Sequence, residues 1–181
     1  MLKITKATKK EIEVRGKIMM LACDIEFCLL NIIMFCNPDP NNHERAGQFK
    51  KMRMGGKIEC VICDMQKYKP NYYNALKSYF DGLEEFKEVR NHFAHYKGDF
   101  PDEPDLRKIN LAYIEEDETG AERMRYITYA DSDIEIFVAK FSSINGALAA
   151  PWMQLKKEFD AISGVHPFVY LSTDSVLPNN P

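Results

Sequence analysis

Hydrophobic positions recur at helical spacing through most of this chain. Ile18, Ala22, Ile25, Leu29, Ile32 and Cys36 fall three or four residues apart and predict one long helix over residues 6 to 36. Its other faces are apolar too, which predicts a helix at the centre of a bundle or at a dimer seam. Asn37-Pro38-Asp39-Pro40-Asn41-Asn42 is dense in turn formers and ends it. A second helix is expected from about His43 to Tyr68, weakened or kinked at Gly55-Gly56, with Phe49, Met52 and Met54 in its core. Lys69-Pro70-Asn71 makes the next turn, and Asn71 is placed to cap a further helix. In that helix Leu76, Phe80, Leu83, Phe86 and Phe93 form one stripe. Gly98 and the prolines at 101 and 104 end it.

Beyond Gly98 the period changes. After an acidic, proline-containing loop over Asp99 to Asp105, Ile109 to Glu116 and Arg123 to Tyr129 read as two strands. Asp117-Glu118-Thr119-Gly120 between them reads as a hairpin turn. Asp131 or Ser132 then caps a fourth helix with Ile134, Phe137, Val138, Phe141, Ile144 and Leu148 on its apolar face. Pro151 is expected to break or kink that helix, or to open a new segment carrying Trp152, Leu155 and Phe159. Residues 164 to 181 have little periodicity, and Phe168 to Leu171 is expected to dock as an extended piece. The expected architecture is mainly α, a single domain over residues 1 to 181. It is a four- to five-helix up-and-down bundle with a small β-hairpin insert at about 109 to 129 and an irregular tail at about 164 to 181.

Composition changes this picture little. With 181 residues, 45% hydrophobic and 28% charged, the chain has an ordinary globular balance. The net charge of −3 does not mark a nucleic-acid binder. Its distribution is uneven, because residues 1 to 100 hold 17 basic against 13 acidic side chains and residues 101 to 181 hold 7 against 14. Asp24, Glu26 and Asn31 interrupt the apolar run from Ile18 to Phe35, so a core helix is expected rather than a membrane span. The five cysteines lie mostly in apolar helical contexts, and with no secretory segment in view they are expected to be reduced, buried and intracellular. Cys60-Val61-Ile62-Cys63 has metal-ligand spacing but lacks a second pair.

The stretch with candidate chemistry is Glu88-Val89-Arg90-Asn91-His92-Phe93-Ala94-His95-Tyr96, at the end of the third helix. Arg90 falls on the apolar stripe, four residues after Phe86. A permanent charge pointing inward calls for a carboxylate or a phosphate. Asn91 and His95 share a face beside it. A second feature is Arg45, Lys50, Lys51, Arg53 and Lys57, with no acid between Glu44 and Glu59. That run is a basic patch able to meet an RNA backbone without reading sequence, or an ordinary solvated face. The hairpin's Arg123, Arg125, Tyr126 and Tyr129 are placed either to flank a groove or simply to be exposed.

Arg90, Asn91 and His95 resemble the signature of the HEPN superfamily: an Arg, a polar residue directly after it, and a closing His four to six residues on. The resemblance implies a helical bundle acting as a metal-independent endoribonuclease, of toxin or defence type, at a homodimer interface in the cytoplasm. It implies RNA as ligand, no cofactor or metal, no membrane, and an antitoxin or nucleotidyltransferase as a further partner. Arg90 would stabilise phosphate charge, His95 would move protons, and Asn91 would orient. A first-helix acid, Glu26 ahead of Asp24, would hold Arg90; the two acids stand about 200° apart on the wheel, so only one can. The Tyr96 hydroxyl would reach the site. His92 lies off the His95 face, within reach of Glu88, and is not expected to be catalytic. The other reading of the same residues is a non-catalytic interaction or regulatory module in which Arg90 and His95 are structural. Nucleotide binding without turnover is a third.

Overall fold

The computed structural model describes residues 6–37, 42–99, 105–116, 118 and 120–163. Among them are five helices and a three-stranded antiparallel sheet: a helical bundle with a small β insertion. The hairpin turn is described only at Glu118 and Gly120, and the expected docking of Phe168 to Leu171 lies outside the described residues.

Helix α1 (Lys6–Cys36) packs on every other helix of the bundle: α2 (Asn42–Lys51), α3 (Met54–Tyr68), α4 (Pro70–His95) and α5 (Asp131–Ser163). Its inner stripe, Ile18, Ala22, Ile25, Leu29, Ile32 and Cys36, is buried as the spacing predicts. By length and composition alone Thr8–Cys36 is apolar enough to cross a bilayer, and a little under half of its most apolar 18-residue window is buried inside the protein.

The expected second helix is two helices. The break falls at Met52-Arg53, not at Gly55-Gly56, and Met52 stands exposed there rather than in the core. Gly55 and Gly56 lie in the first turn of α3, where glycine interrupts no established ladder. Asn71 does not cap α4: Pro70 occupies the first turn, where its missing N–H costs nothing, and Lys69 precedes it. Pro151 does not end α5, which runs through it. Leu148 and Leu155 on either side are fully buried, and Trp152 meets Phe27 of α1 edge-on with ring centroids 6.0 Å apart. Burial against α1 outweighs the bond that proline removes. Gly82 marks the close approach of α4 and α5, since a Cβ there would stand 2.9 Å from Ile144 Cδ1.

The hairpin forms as β2 (Lys108–Glu116) and β3 (Glu122–Ala130), with Gly120 at φ 80° in its turn. A third strand, β1 (Lys97–Asp99), leaves the end of α4 directly and pairs antiparallel with β2, Gly98 opposite Leu111. The sheet is thereby joined to the helix that carries the motif. Its helix-facing side alternates as period two requires, with Ile109, Leu111 and Tyr129 buried. The five cysteines are free, but Cys23 and Cys63 are exposed, against the expectation of burial.

Candidate functional site at the end of helix α4

The motif occupies the last turns of α4, whose inner stripe of Leu76, Phe80, Leu83, Phe86, Val89 and Phe93 is buried. A helix end leaves its last carbonyls without partners. Here a side chain from α1 supplies them. Arg15 donates through Nη1 to the Phe93 carbonyl, through Nη2 to the Tyr96 carbonyl at 2.5 Å, and through Nε to Glu11 at 2.5 Å. A guanidinium against the negative end of a helix is favourable in both charge and hydrogen bonding. Glu11 is buried, and it lies against Gly98, where a Cβ would come within 2.6 Å of its Cδ. A side chain at position 98 would force this carboxylate to shift.

Above the cap, three rings lie face to face. His92 stacks on Tyr96 with centroids 4.9 Å apart, and Tyr96 stacks on Tyr113 of β2 at 4.4 Å. The other side of His92 is held by a hydrogen bond between Nδ1 and the Tyr129 hydroxyl. Burial lowers the His92 pKa from the usual 6.5, against a smaller opposing pull from Glu88. Burial also pushes the Tyr129 hydroxyl up to about 12. His92 is therefore a packed imidazole, harder to protonate than a free one.

Arg90 and Asn91 touch, with Nη1 donating to Asn91 Oδ1 at 3.2 Å. The Arg90 Nε is buried with no hydrogen-bond partner, and no carboxylate pairs with Arg90 among the described residues. Neither expected acid holds it. Glu26 is ion-paired to the buried Lys57 of α3, because its side of α1 faces α3 rather than α4. Asp24 is on the solvent side. His95 is exposed and makes no hydrogen bond with the other described residues. The Tyr96 ring is taken up in the stack, and burial raises its pKa.

The basic patch divides. Arg45 is ion-paired to the buried Asp64, and Lys57 to Glu26, so two of the five serve the fold. Lys50, Lys51 and Arg53 are exposed and without ion pairs among the described residues. Among the described residues no group of three or more His, Cys, Asp or Glu side chains is placed to hold a metal ion.

Sequence reasoning missed Arg15 and Glu11. The signal was present: a charged pair four apart, with its acid on the buried stripe of α1. The chemistry on offer at this helix end is a guanidinium with an unused donor, an amide against it, and a free imidazole one turn on. No protein-family model matches the chain, and no curated protein or solved structure matches it.

Proposed function

We propose that the end of α4 binds RNA and cleaves it by metal-independent transesterification, in the manner the HEPN-like motif implies. The observation that carries this reading is the Arg90 Nε, buried beside Asn91 without a partner among the described residues, on the helix end that exposes His95. A buried unsatisfied donor on a permanent cation is unfavourable unless a ligand completes it. A phosphate oxygen matches the planar fork of donors. Imidazole is the side chain best suited to pass protons near neutrality. In the reaction proposed, the 2′-oxygen forms a bond to the adjacent phosphorus and the bond to the 5′-oxygen breaks. One group takes the 2′-hydroxyl proton and another returns a proton to the 5′-oxygen. Each chain brings one His95, so two copies supply both. Lys50, Lys51 and Arg53 are the part of the basic patch available to RNA backbone.

The test is RNA incubated with the protein in chelator, beside Arg90→Ala and His95→Ala. The expected result is fragments ending in cyclic phosphate with the parent and none with either folded variant. Cleavage that vanishes with chelator, or that survives His95→Ala, sinks the reading. A non-catalytic interaction module is the second reading. It is favoured by the position of His92, the imidazole that the fold holds in place, while His95 has no orienting partner among the described residues.

A further inference from the structure

Exposed apolar side chains scattered over a surface mean little. On α5, Ile136, Met153 and Ile162 are exposed but fall on different faces of the helix. On α1 the exposed apolar residues align. Ile12, Gly16, Met20, Cys23 and Phe27 follow one another at helical spacing along the side opposite the buried stripe. Ile12 and Phe27 are each 57% exposed and Met20 is 69% exposed. Gly16, in the middle, has nothing within 4 Å of where a Cβ would stand.

Lys9 lies within this stripe near the start of α1, and Glu13, Lys17 and Asp24 flank one edge of it; the four alternate in sign and are all exposed. Lys17 and Asp24 have no ion pair among the described residues, and Lys9 reaches Glu13 only at 3.9 Å. This alternation selects an occupant. In an antiparallel copy of the same helix crossing at Gly16, Ile12 of one chain lies against Met20 of the other. Lys9 and Glu13 of one chain then meet Asp24 and Lys17 of the other, and the contacts repeat by symmetry. A parallel two-fold copy would set this edge against the partner's opposite flank, and these pairings would be lost. An anionic lipid surface calls for a basic flank, and these four residues have as many acids as bases.

We propose that the outer face of α1 is a self-complementary surface through which two copies of this chain pair antiparallel, crossing at Gly16. The missing Cβ lets the two backbones approach closely at the crossing. The crossing lies beside the motif: Arg15, the neighbour of Gly16, holds the Phe93 and Tyr96 carbonyls at the end of α4. Two motif ends thereby meet near the middle of the seam. That link rests on the nuclease reading above; the pairing surface does not.

The experiment measures the mass of the full chain in solution by light scattering and sedimentation at micromolar concentration. The parent is expected at twice the chain mass. Gly16→Leu adds bulk only where space is open, so it keeps the circular dichroism of the parent and runs as a monomer. Met20→Glu does the same. Glu13→Lys and Lys17→Glu each weaken the dimer by roughly tenfold, and the two together restore it. A monomeric parent overturns the proposal. So does a dimer that survives both Gly16→Leu and Met20→Glu, or a monomer that binds anionic vesicles through this face. An intact dimer of this kind that leaves RNA uncut supports the pairing surface and sinks the nuclease reading. A monomeric Gly16→Leu that cuts RNA as well as the parent supports the surface and removes its link to the motif.

Discussion

Replacing Arg15 by methionine tests whether α1 holds the motif end in place. The change removes two charge-assisted hydrogen bonds, to the Phe93 carbonyl of α4 and the Tyr96 carbonyl just beyond it, and leaves Glu11, with 9% of its side chain exposed, without its partner. Hydrogen bonds from charged groups contribute about 1.5 kcal/mol each at the low end, and stranding a buried carboxylate costs about 1–3 kcal/mol more. The Arg15 side chain is 23% exposed, so water takes over part of each loss. The expected destabilisation is about 3 kcal/mol. In urea, with a slope of roughly 2 kcal/mol per molar, that moves the midpoint down by about 1.5 M. Glu11→Gln alone should cost about 1 kcal/mol. The double variant should lose about 1 kcal/mol less than the two singles summed, because the stranded charge is gone. The assay is helical circular dichroism against urea for the four proteins. A loss under 1 kcal/mol for Arg15→Met, or strict additivity, refutes the capping role. Under the proposed function, cleavage by Arg15→Met should also fall at temperatures where the chain remains folded.

Lys57→Met should destabilise by about 2 kcal/mol by stranding Glu26, whereas Lys50→Glu with Lys51→Glu should change stability by less than about 0.5 kcal/mol and weaken RNA retention on a filter. Gly82→Ala gains helix propensity of up to about 1 kcal/mol but drives a Cβ onto Ile144 Cδ1, so calorimetry should show a net loss of about 1 kcal/mol; on an Ile144→Val background the same change should be neutral or stabilising. The folded-state pKa of His92 is lowered, so between that value and 6.5 the unfolded chain binds the extra proton and stability rises with pH. Melting temperature should therefore fall as buffer is taken from neutral to below pH 6.5, and His92→Gln should fall less over the same range. An equal fall in both proteins would show that His92 carries no linkage.

The helices were legible because their apolar faces repeat with the helical period, and the hairpin because its turn residues separate two strand-like runs. What local pattern could not supply was the partner of each charge. Arg90, Glu26, Lys57 and Arg45 all read as candidate site residues, yet three of them are joined in pairs set by how α1, α2 and α3 pack. Proline and glycine were overread. Pro151 sits within a helix kept whole by Leu148 and Leu155, and Gly55-Gly56 begins a helix rather than breaking one. Strand β1 escaped notice because three residues, Lys97 to Asp99, carry no period of their own; they become a strand only when β2 arrives. The motif lies at the end of its helix, as its flanking glycine and prolines imply, while its cap comes from Arg15, some eighty positions earlier in the chain.

The pairing of α1 with α5 has a consequence for biosynthesis. The apolar helix α1 leaves the ribosome well ahead of α5, and the helix covering much of its inner face begins only at Asp131. At roughly 5–20 residues per second, α1 waits on the order of ten seconds before α5 is available. During that interval both of its sides are greasy and unshielded, so nascent chains stalled before α5 should be captured by chaperones, and released chains of that length should aggregate.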